Sequence, residues 1–241
     1  MRNLNIHQVV VVSIVLVLFS ACSVTKHLPE GEVLYTGNKY VMQSQSKTRV
    51  GEKAMTEVDA ALDMTPSTKM FGGFLPVPFK MWMYNDFVKY KKGIGKWVFN
   101  HFAANPPLFI SALNPEVRAK VATNLLHDYG YFNGTVKYEV VPNKKDSLKA
   151  SVTYNIDMRD PYFIDTVYYK RFTPQTLKVM ERGRRMTYIS PGEQFNVTDL
   201  DDERTRISAL LRNRGYFYFR PDYMTYQADT TLVKNGHVSL R

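Results

Sequence analysis

The chain has one cysteine and five histidines in 241 residues. A single thiol cannot close an internal disulfide, so no crosslinked framework holds this fold. The histidines (His7, His27, His101, His127, His237) contain no i, i+4 pair and sit near no cysteine or carboxylate set at metal-ligand spacing. A phosphate-binding loop is lacking too. Lys91-Lys92-Gly93-Ile94-Gly95-Lys96 has Tyr90 where the first glycine of such a loop belongs, and neither Ser nor Thr follows Lys96. Gly72-Gly73 reads as a loop, and Asp201-Asp202-Glu203 ahead of Arg204 and Arg206 reads as acids suited to the dipole at a helix start. No catalytic residue, no metal site and no cofactor is therefore expected, and the chain does not read as an enzyme. Missing as well is an apolar run of the about 20 residues that a transmembrane helix requires.

What the N-terminus does have is shorter. Arg2 precedes eleven largely apolar residues, Val9 to Phe19, and then Ser20-Ala21-Cys22. This is the layout of a secretory signal peptide over 1–21. Leu18-Phe19-Ser20-Ala21-Cys22 resembles a bacterial lipobox, which implies cleavage after Ala21 and lipid attachment at Cys22. Several acyl chains on that residue would form a firm membrane anchor. Residues 22–32 then form a polar tether.

Net charge is +10, and removal of residues 1–21 takes away only Arg2. A basic surface suits anionic lipid, and export makes nucleic acid an unexpected partner. Hydrophobic residues make 44% of the chain and aromatics 13%, enough to build a core rather than a disordered segment.

The mature sequence repeats itself. Leu125-Leu126-His127-Asp128-Tyr129-Gly130-Tyr131-Phe132 returns as Leu210-Leu211-Arg212-Asn213-Arg214-Gly215-Tyr216-Phe217, at a constant offset of 85. Each copy reads as a helix end, a glycine stop and the opening of a strand. Around the first copy we expect a strand near 33–42, a helix over 53–64, and a second helix with Asn114 as N-cap and Val117, Val121 and Leu125 in its apolar stripe. Strands at 135–141 and 148–158 follow, with Ala150, Val152, Tyr154 and Ile156 alternating. Around the second copy we expect a strand at 163–169, a short helix capped by Thr173-Pro174, a turn at Ser190-Pro191-Gly192 and a helix capped by Asp199. A strand at 223–226 and the start of another at 236–241 complete it. Each unit reads β-α-α-β-β, and repeated modules of this kind mostly scaffold or bind.

Two such units behind a lipobox resemble POTRA domains of the BamA/TamA outer-membrane assembly superfamily, and most of all its TamL-like lipoproteins of Bacteroidetes. The resemblance rests on Cys22 with Leu28-Pro29-Glu30-Gly31, on Asn105-Pro106-Pro107-Leu108, and on Asp160-Pro161-Tyr162-Phe163-Ile164. Ala104-Asn105-Pro106-Pro107-Leu108 departs from the family's loop, which is closer to Gly-Glu-Pro-Pro-Val. The resemblance implies an α+β fold of tandem POTRA domains, each a three-stranded mixed sheet with two helices on one face. The expected bounds are 33–159 for the first, with an aromatic and basic insertion at 65–113, and 160–241 for the second, shortened in its last strand. Members of the family continue into a β-barrel, and no barrel segments stand after Arg241 here.

The resemblance also implies a location and partners. The chain is expected at the outer membrane, lipid-anchored and facing the periplasm, with unfolded outer-membrane protein clients or an inner-membrane TamB-like protein as partners. A POTRA sheet leaves the strand that comes second in sequence on an edge, here Val136, Lys137, Tyr138, Glu139 and Val140, where a partner segment can add as a further strand. Lys137, Lys144 and Lys145 would favour acidic segments; equally, Lys137 and Pro142 would blunt the edge against aggregation. Trp82, Tyr84, Phe87, Lys89, Lys91, Lys92 and Trp97 are either a satellite core with a wet lysine side or a surface for membrane or partner. Ser147, Thr166 and Thr230 follow aspartates in a short pattern similar to a Bacteroidetes O-glycosylation signal. Two rival classes remain at this point, a cell-division-type POTRA protein and a lipid-anchored glycan-binding lipoprotein.

Overall fold

Alternation and capping decide the elements of this computed structural model, which describes residues 28, 31–44, 46–64, 66, 93, 94, 97, 108–231 and 233–241. Strand β1 (Leu34–Ser44) buries Leu34 and Tyr35 and is exposed from Lys39 to Gln43. Thr48 caps helix α1 (Arg49–Leu62): its hydroxyl accepts from the Gly51 N–H, one of the four amides that a helix start leaves open. The cap places the helix start four residues ahead of the expected one. Gly51, Ala54, Val58 and Leu62 form its buried stripe.

A turn of helix at Ile110–Leu113 ends on Asn114, whose φ of 48° is left-handed, and the chain restarts as α2 (Pro115–Asp128). Asn114 thus closes one helix where it was expected to cap the next. The buried side of α2 differs as well. Val117 and Val121 are exposed, while Pro115, Ala119, Ala122 and Leu126 recur at helical spacing and face inward. Small residues let a helix approach its neighbours closely, so they took the inner face from the larger valines.

Strands β2 (Thr135–Asn143) and β3 (Asp146–Asp157) follow. Between them Asn143 Oδ1 accepts from the Lys145 N–H and Asp146 Oδ1 from the Leu148 N–H, side-chain bonds typical of tight links. β3 buries Ala150, Val152, Tyr154 and Ile156, the expected alternation.

The second set begins with β4 (Phe163–Val167) and α3 (Pro174–Arg182), where Thr173 accepts from the Thr176 N–H and proline opens the first turn. Helix α4 (Val197–Arg212) is capped by Asn196, which accepts from the Thr198 N–H. Asp199, the expected cap, stands in the first turn and accepts from Asn196 Nδ2 at 3.2 Å. The strand expected at 223–226 is absent. Pro221, with no N–H to give a ladder, starts a 3-10 turn over Pro221–Tyr223, and the pairing falls at β5 (Ala228–Asp229). β6 (His237–Leu240) completes the order.

The two sheets share one plan. Their strand orders are β1-β3-β2 and β4-β6-β5, so the last strand of each set lies in the middle. β4 and β6 are parallel, with Phe163 opposite His237, while β5 and β6 are antiparallel, with Asp229 opposite Ser239. The fold is α+β, with a mixed sheet in which all four residues of β6 pair with β4 and two of them, Ser239 and Leu240, pair with β5 as well.

Two compact units divide the chain: Met1–Lys39, Met64–Pro115 and Glu139–Thr153 make one, and Tyr40–Asp63, Glu116–Tyr138 and Tyr154–Arg241 the other. Among the described residues the first buries Leu34, Tyr35, Leu113, Ala150 and Val152. The second contains a cluster of Ile164, Ile189, Phe195, Leu200, Val238 and Leu240, and another of Met180, Ile207, Leu211 and Met224.

Candidate functional site

Within the second unit the first copy of the repeated phrase works as a fastening. At the end of α2 the Gly130 N–H donates to His127 O and the Tyr131 N–H to Leu126 O, each at 2.9 Å, with Gly130 at a φ of 84°. Tyr131 and Phe132 do not open a strand as expected. The Gly134 N–H turns back to Tyr131 O at 2.8 Å, and β2 starts only at Thr135. That turn presents backbone carbonyls and rings to the stretches before β4 and α4. The Tyr162 N–H donates to Gly130 O, and Gln194 Nε2 donates to Tyr129 O, both at 2.9 Å. The Thr48 hydroxyl, besides capping α1, donates to Gln194 Oε1 at 3.1 Å.

Glycine is required at 130 twice over. Its φ disfavours L side chains, and a Cβ there would stand 2.7 Å from Phe195 O. Beside it the Phe132 ring lies 5.1 Å from that of Tyr162 and 5.0 Å from that of Phe195, and packs on the cluster around Ile164 and Val238. Tyr129 is held from the other side: its hydroxyl donates to the Glu57 carboxylate and Lys53 Nζ lies 5.6 Å from its ring centre. Burial, and then Glu57, push the Tyr129 hydroxyl up to about 12, so it remains a donor at neutral pH.

The edge residues named from sequence lie on β2, which takes an outer place beside β3 in the strand order. Eight of its nine residues are exposed, Val136 alone being buried. Lys137 and Glu139 are exposed, and so are the apolar Tyr138, Val140 and Val141. At the strand's start Thr123 Oγ1 accepts from the Val136 N–H at 2.9 Å, which covers that end of the edge.

Glu203 and Arg206, which read from sequence as ordinary helix-start charges, form a buried polar cluster. Glu203 is fully buried on α4 and accepts from Arg206 Nε at 2.7 Å and Nη2 at 2.6 Å, from the Tyr169 hydroxyl at 3.0 Å and from the Tyr188 N–H at 3.1 Å. Arg206 Nη1 also donates to Gly183 O at 3.0 Å. Burial raises the cost of charging Glu203, but the Arg206 and Tyr188 hydrogen bonds outweigh it and hold its carboxyl below the ordinary range. With four donors on its two oxygens, the carboxylate has little capacity left for proton transfer, so it fastens α4 to the loop ahead of it. A Glu–Arg pair three residues apart on a helix was the available signal. A cleft of about 950 Å³ opens alongside, rimmed by Lys178, Arg184 and Arg185.

Of the remaining named residues, Ser147 and Thr230 are exposed, while Thr166 in β4 is half-buried and shares a 2.7 Å hydrogen bond with Ser239. Trp97 is 56% exposed, and its N–H donates to Gly93 O at 3.2 Å. Ala21, Cys22, Trp82, Tyr84, Phe87, Lys89, Lys91 and Lys92 lie outside the described residues. Among the described residues no helix is long and apolar enough to cross a membrane, and no group of three His, Cys, Asp or Glu could hold a metal ion.

No protein-family model matches the chain, and no curated protein matches it. Among solved structures the chain is similar to BamA POTRA3-5 of Haemophilus influenzae, with 10% identity and a TM-score of 0.34 over 88% of this chain and 97% of that one. It is also similar to POTRA1-2 of the periplasmic domain of Omp85 from Anabaena, with 14% identity and a TM-score of 0.35 over 88% of this chain and 95% of that one.

Proposed function

We propose that this chain is a lipid-anchored, periplasm-facing POTRA module of a TamL-like outer-membrane assembly factor, and that it takes extended polypeptide as an added strand on β2. The observation that carries the reading is the outer position of β2 together with its exposure at eight of nine residues. A strand edge offers N–H and C=O groups that any sequence can bond, while alternate side chains give mild preference. Val136 to Val140 would run beside the guest, and Lys137, Lys144 and Lys145 would favour acidic stretches. Unfolded outer-membrane proteins, or an extended segment of an inner-membrane TamB-like protein, have the chemistry to fill this place. Acylated Cys22 would keep the edge close to the membrane where such clients arrive.

The test is crosslinking of extended acidic peptides carrying a photoreactive group to the mature chain. Tyr138→Pro removes one N–H from the exposed stretch and should abolish the crosslinks while circular dichroism shows the fold intact. A folded Tyr138→Pro chain that crosslinks as strongly as the parent contradicts the reading. Should proline unfold the module, Lys137→Glu provides the second arm, with crosslinking to acidic peptides expected to fall several-fold.

A further inference from the structure

The Glu203–Arg206 pair fastens both ends of an exposed loop. Arg206 Nη1 donates to Gly183 O at 3.0 Å, and Glu203 Oε2 accepts from the Tyr188 N–H at 3.1 Å. Between those points the chain makes a 3-10 turn, with the Met186 N–H on Gly183 O and the Thr187 N–H on Arg184 O, each at 3.1 Å. Thr187 Oγ1 also donates to Ile189 O at 3.1 Å. The loop is thus held in one shape, and its side chains separate into two sets. Arg185, Thr187 and Ile189 line the cleft of about 950 Å³, whereas Met186 and Tyr188 stand outside it, 75% and 51% exposed.

The cleft has the composition of a site for an amphiphile. Met180 and Ile189 are buried in its wall, beside half-buried Val167 and Leu177. Its inner charges, Glu203 and Arg206, neutralise each other. At the rim Lys178, Arg184 and Arg185 face a single acid, Glu181, which already holds Arg184 at 3.2 Å. Lys178 and Arg185 enter no ion pair among the described residues. Positions 170–185 together carry six lysines and arginines against that one acid. An apolar wall with a few convergent polar groups is the build of a small-molecule site. Long basic side chains lay their methylenes on apolar surface while their heads reach an anion, and a guanidinium can take two phosphate oxygens at once.

We propose that this cleft seats one anionic membrane lipid. The lipid phosphate lies against Lys178, Arg184 and Arg185, and the first methylenes of its chains lie on Leu177, Met180 and Ile189. Met186 and Tyr188 decide for a lipid over a soluble anion. They put an apolar side chain and an amphipathic ring on the outer side of the same loop, groups suited to the headgroup level of a membrane. Their basic neighbours draw anionic lipid to that level. The Glu203–Arg206 pair has a positioning part, holding the loop in the shape that forms the wall. The inference requires neither an acyl chain at Cys22 nor a guest strand on β2.

The test uses the mature chain with Cys22→Ser, so that no covalent lipid contributes. The probe is dihexanoyl phosphatidylglycerol below its micelle concentration, followed by calorimetry and amide hydrogen exchange. One lipid should bind per chain and slow exchange across 177–190. Glycerol phosphate has the charge without the chains, and dihexanoyl phosphatidylcholine has the chains without net charge; each should bind about tenfold more weakly or worse. Lys178→Glu with Arg185→Glu should weaken binding by about tenfold or more while the urea midpoint stays near the parent's. The same charge change at exposed Lys120 and Lys234 should leave binding as in the parent. Equal affinity for glycerol phosphate would show an anion site only, and equal affinity for phosphatidylcholine would leave the basic rim without a role; either overturns the proposal. Binding to phosphatidylglycerol vesicles but not to the monomeric lipid overturns it too, because that is adsorption on a surface. So does protection outside 177–190 alone, or no binding at all.

Discussion

The Phe132 ring stands 5.0 Å from that of Phe195, tilted at 56°, and lies on the apolar cluster that Ile164, Leu200 and Val238 build in the second sheet and its helix. The turn after α2 therefore contributes a side chain to a core assembled from later segments of the chain. Phe132→Ala should destabilise the protein by about 2–3 kcal/mol, the lower part of the range for aromatic truncations because the ring is only partly buried. Phe217→Ala, at an exposed position of the same motif, should stay within about 0.5 kcal/mol of the parent. Urea unfolding of both variants checks this, and equal losses would contradict it.

Gly130 and Gly215 separate two costs that usually come together. Gly215→Ala meets only the left-handed backbone penalty, about 1–2 kcal/mol. Gly130→Ala meets that penalty and a contact with Phe195 O at 2.7 Å, and it loosens the Tyr162 and Gln194 hydrogen bonds nearby. The denaturation midpoint should fall at least twice as far for Gly130→Ala, with the slope of the transition preserved in both.

Parts of this arrangement were legible in the sequence. The offset of 85 gave the repeated β-α-α-β-β order, and the alternation of Ala150, Val152, Tyr154 and Ile156 gave the buried face of β3, because a strand has only two faces to choose between. Helix phase was harder. Val117, Val121 and Leu125 form a stripe as regular as Pro115, Ala119, Ala122 and Leu126, and only packing against a neighbour decides in favour of the small residues. The aromatic pair after each glycine has strand composition yet forms a turn, since Gly134 and Phe219 bond back to Tyr131 and Tyr216. Glu203 read as one more helical acid; its burial follows from Tyr169 and Tyr188, which the sequence gives no reason to place beside it.

Glu203 also sets a pH dependence. Its folded carboxyl is held below its unfolded value of about 4.3, so its stabilising contribution is complete above that pH. The contribution is lost as pH falls through the lower, folded value, when the carboxylate must take a proton. Stability should therefore decline on acidification below about pH 4.3, and Glu203→Gln should flatten that part of the curve. Glu203→Ala should cost about 3–5 kcal/mol at neutral pH, because it leaves Arg206, itself 13% exposed, without its partner. An unchanged acid limb in Glu203→Gln would contradict this.

Acylation of Cys22 should be visible as incorporation of labelled fatty acid into the parent chain and its absence in Cys22→Ala. Label that persists in the variant would contradict lipid attachment at Cys22.

Strand addition on β2 is tested most directly by amide hydrogen exchange on the mature chain, with and without a saturating extended acidic peptide. Binding at the edge predicts slowed exchange at the amides of 137–141, with α1 and α4 unchanged. Protection confined to another part of the chain, or none at 137–141 when the peptide is bound, would contradict it.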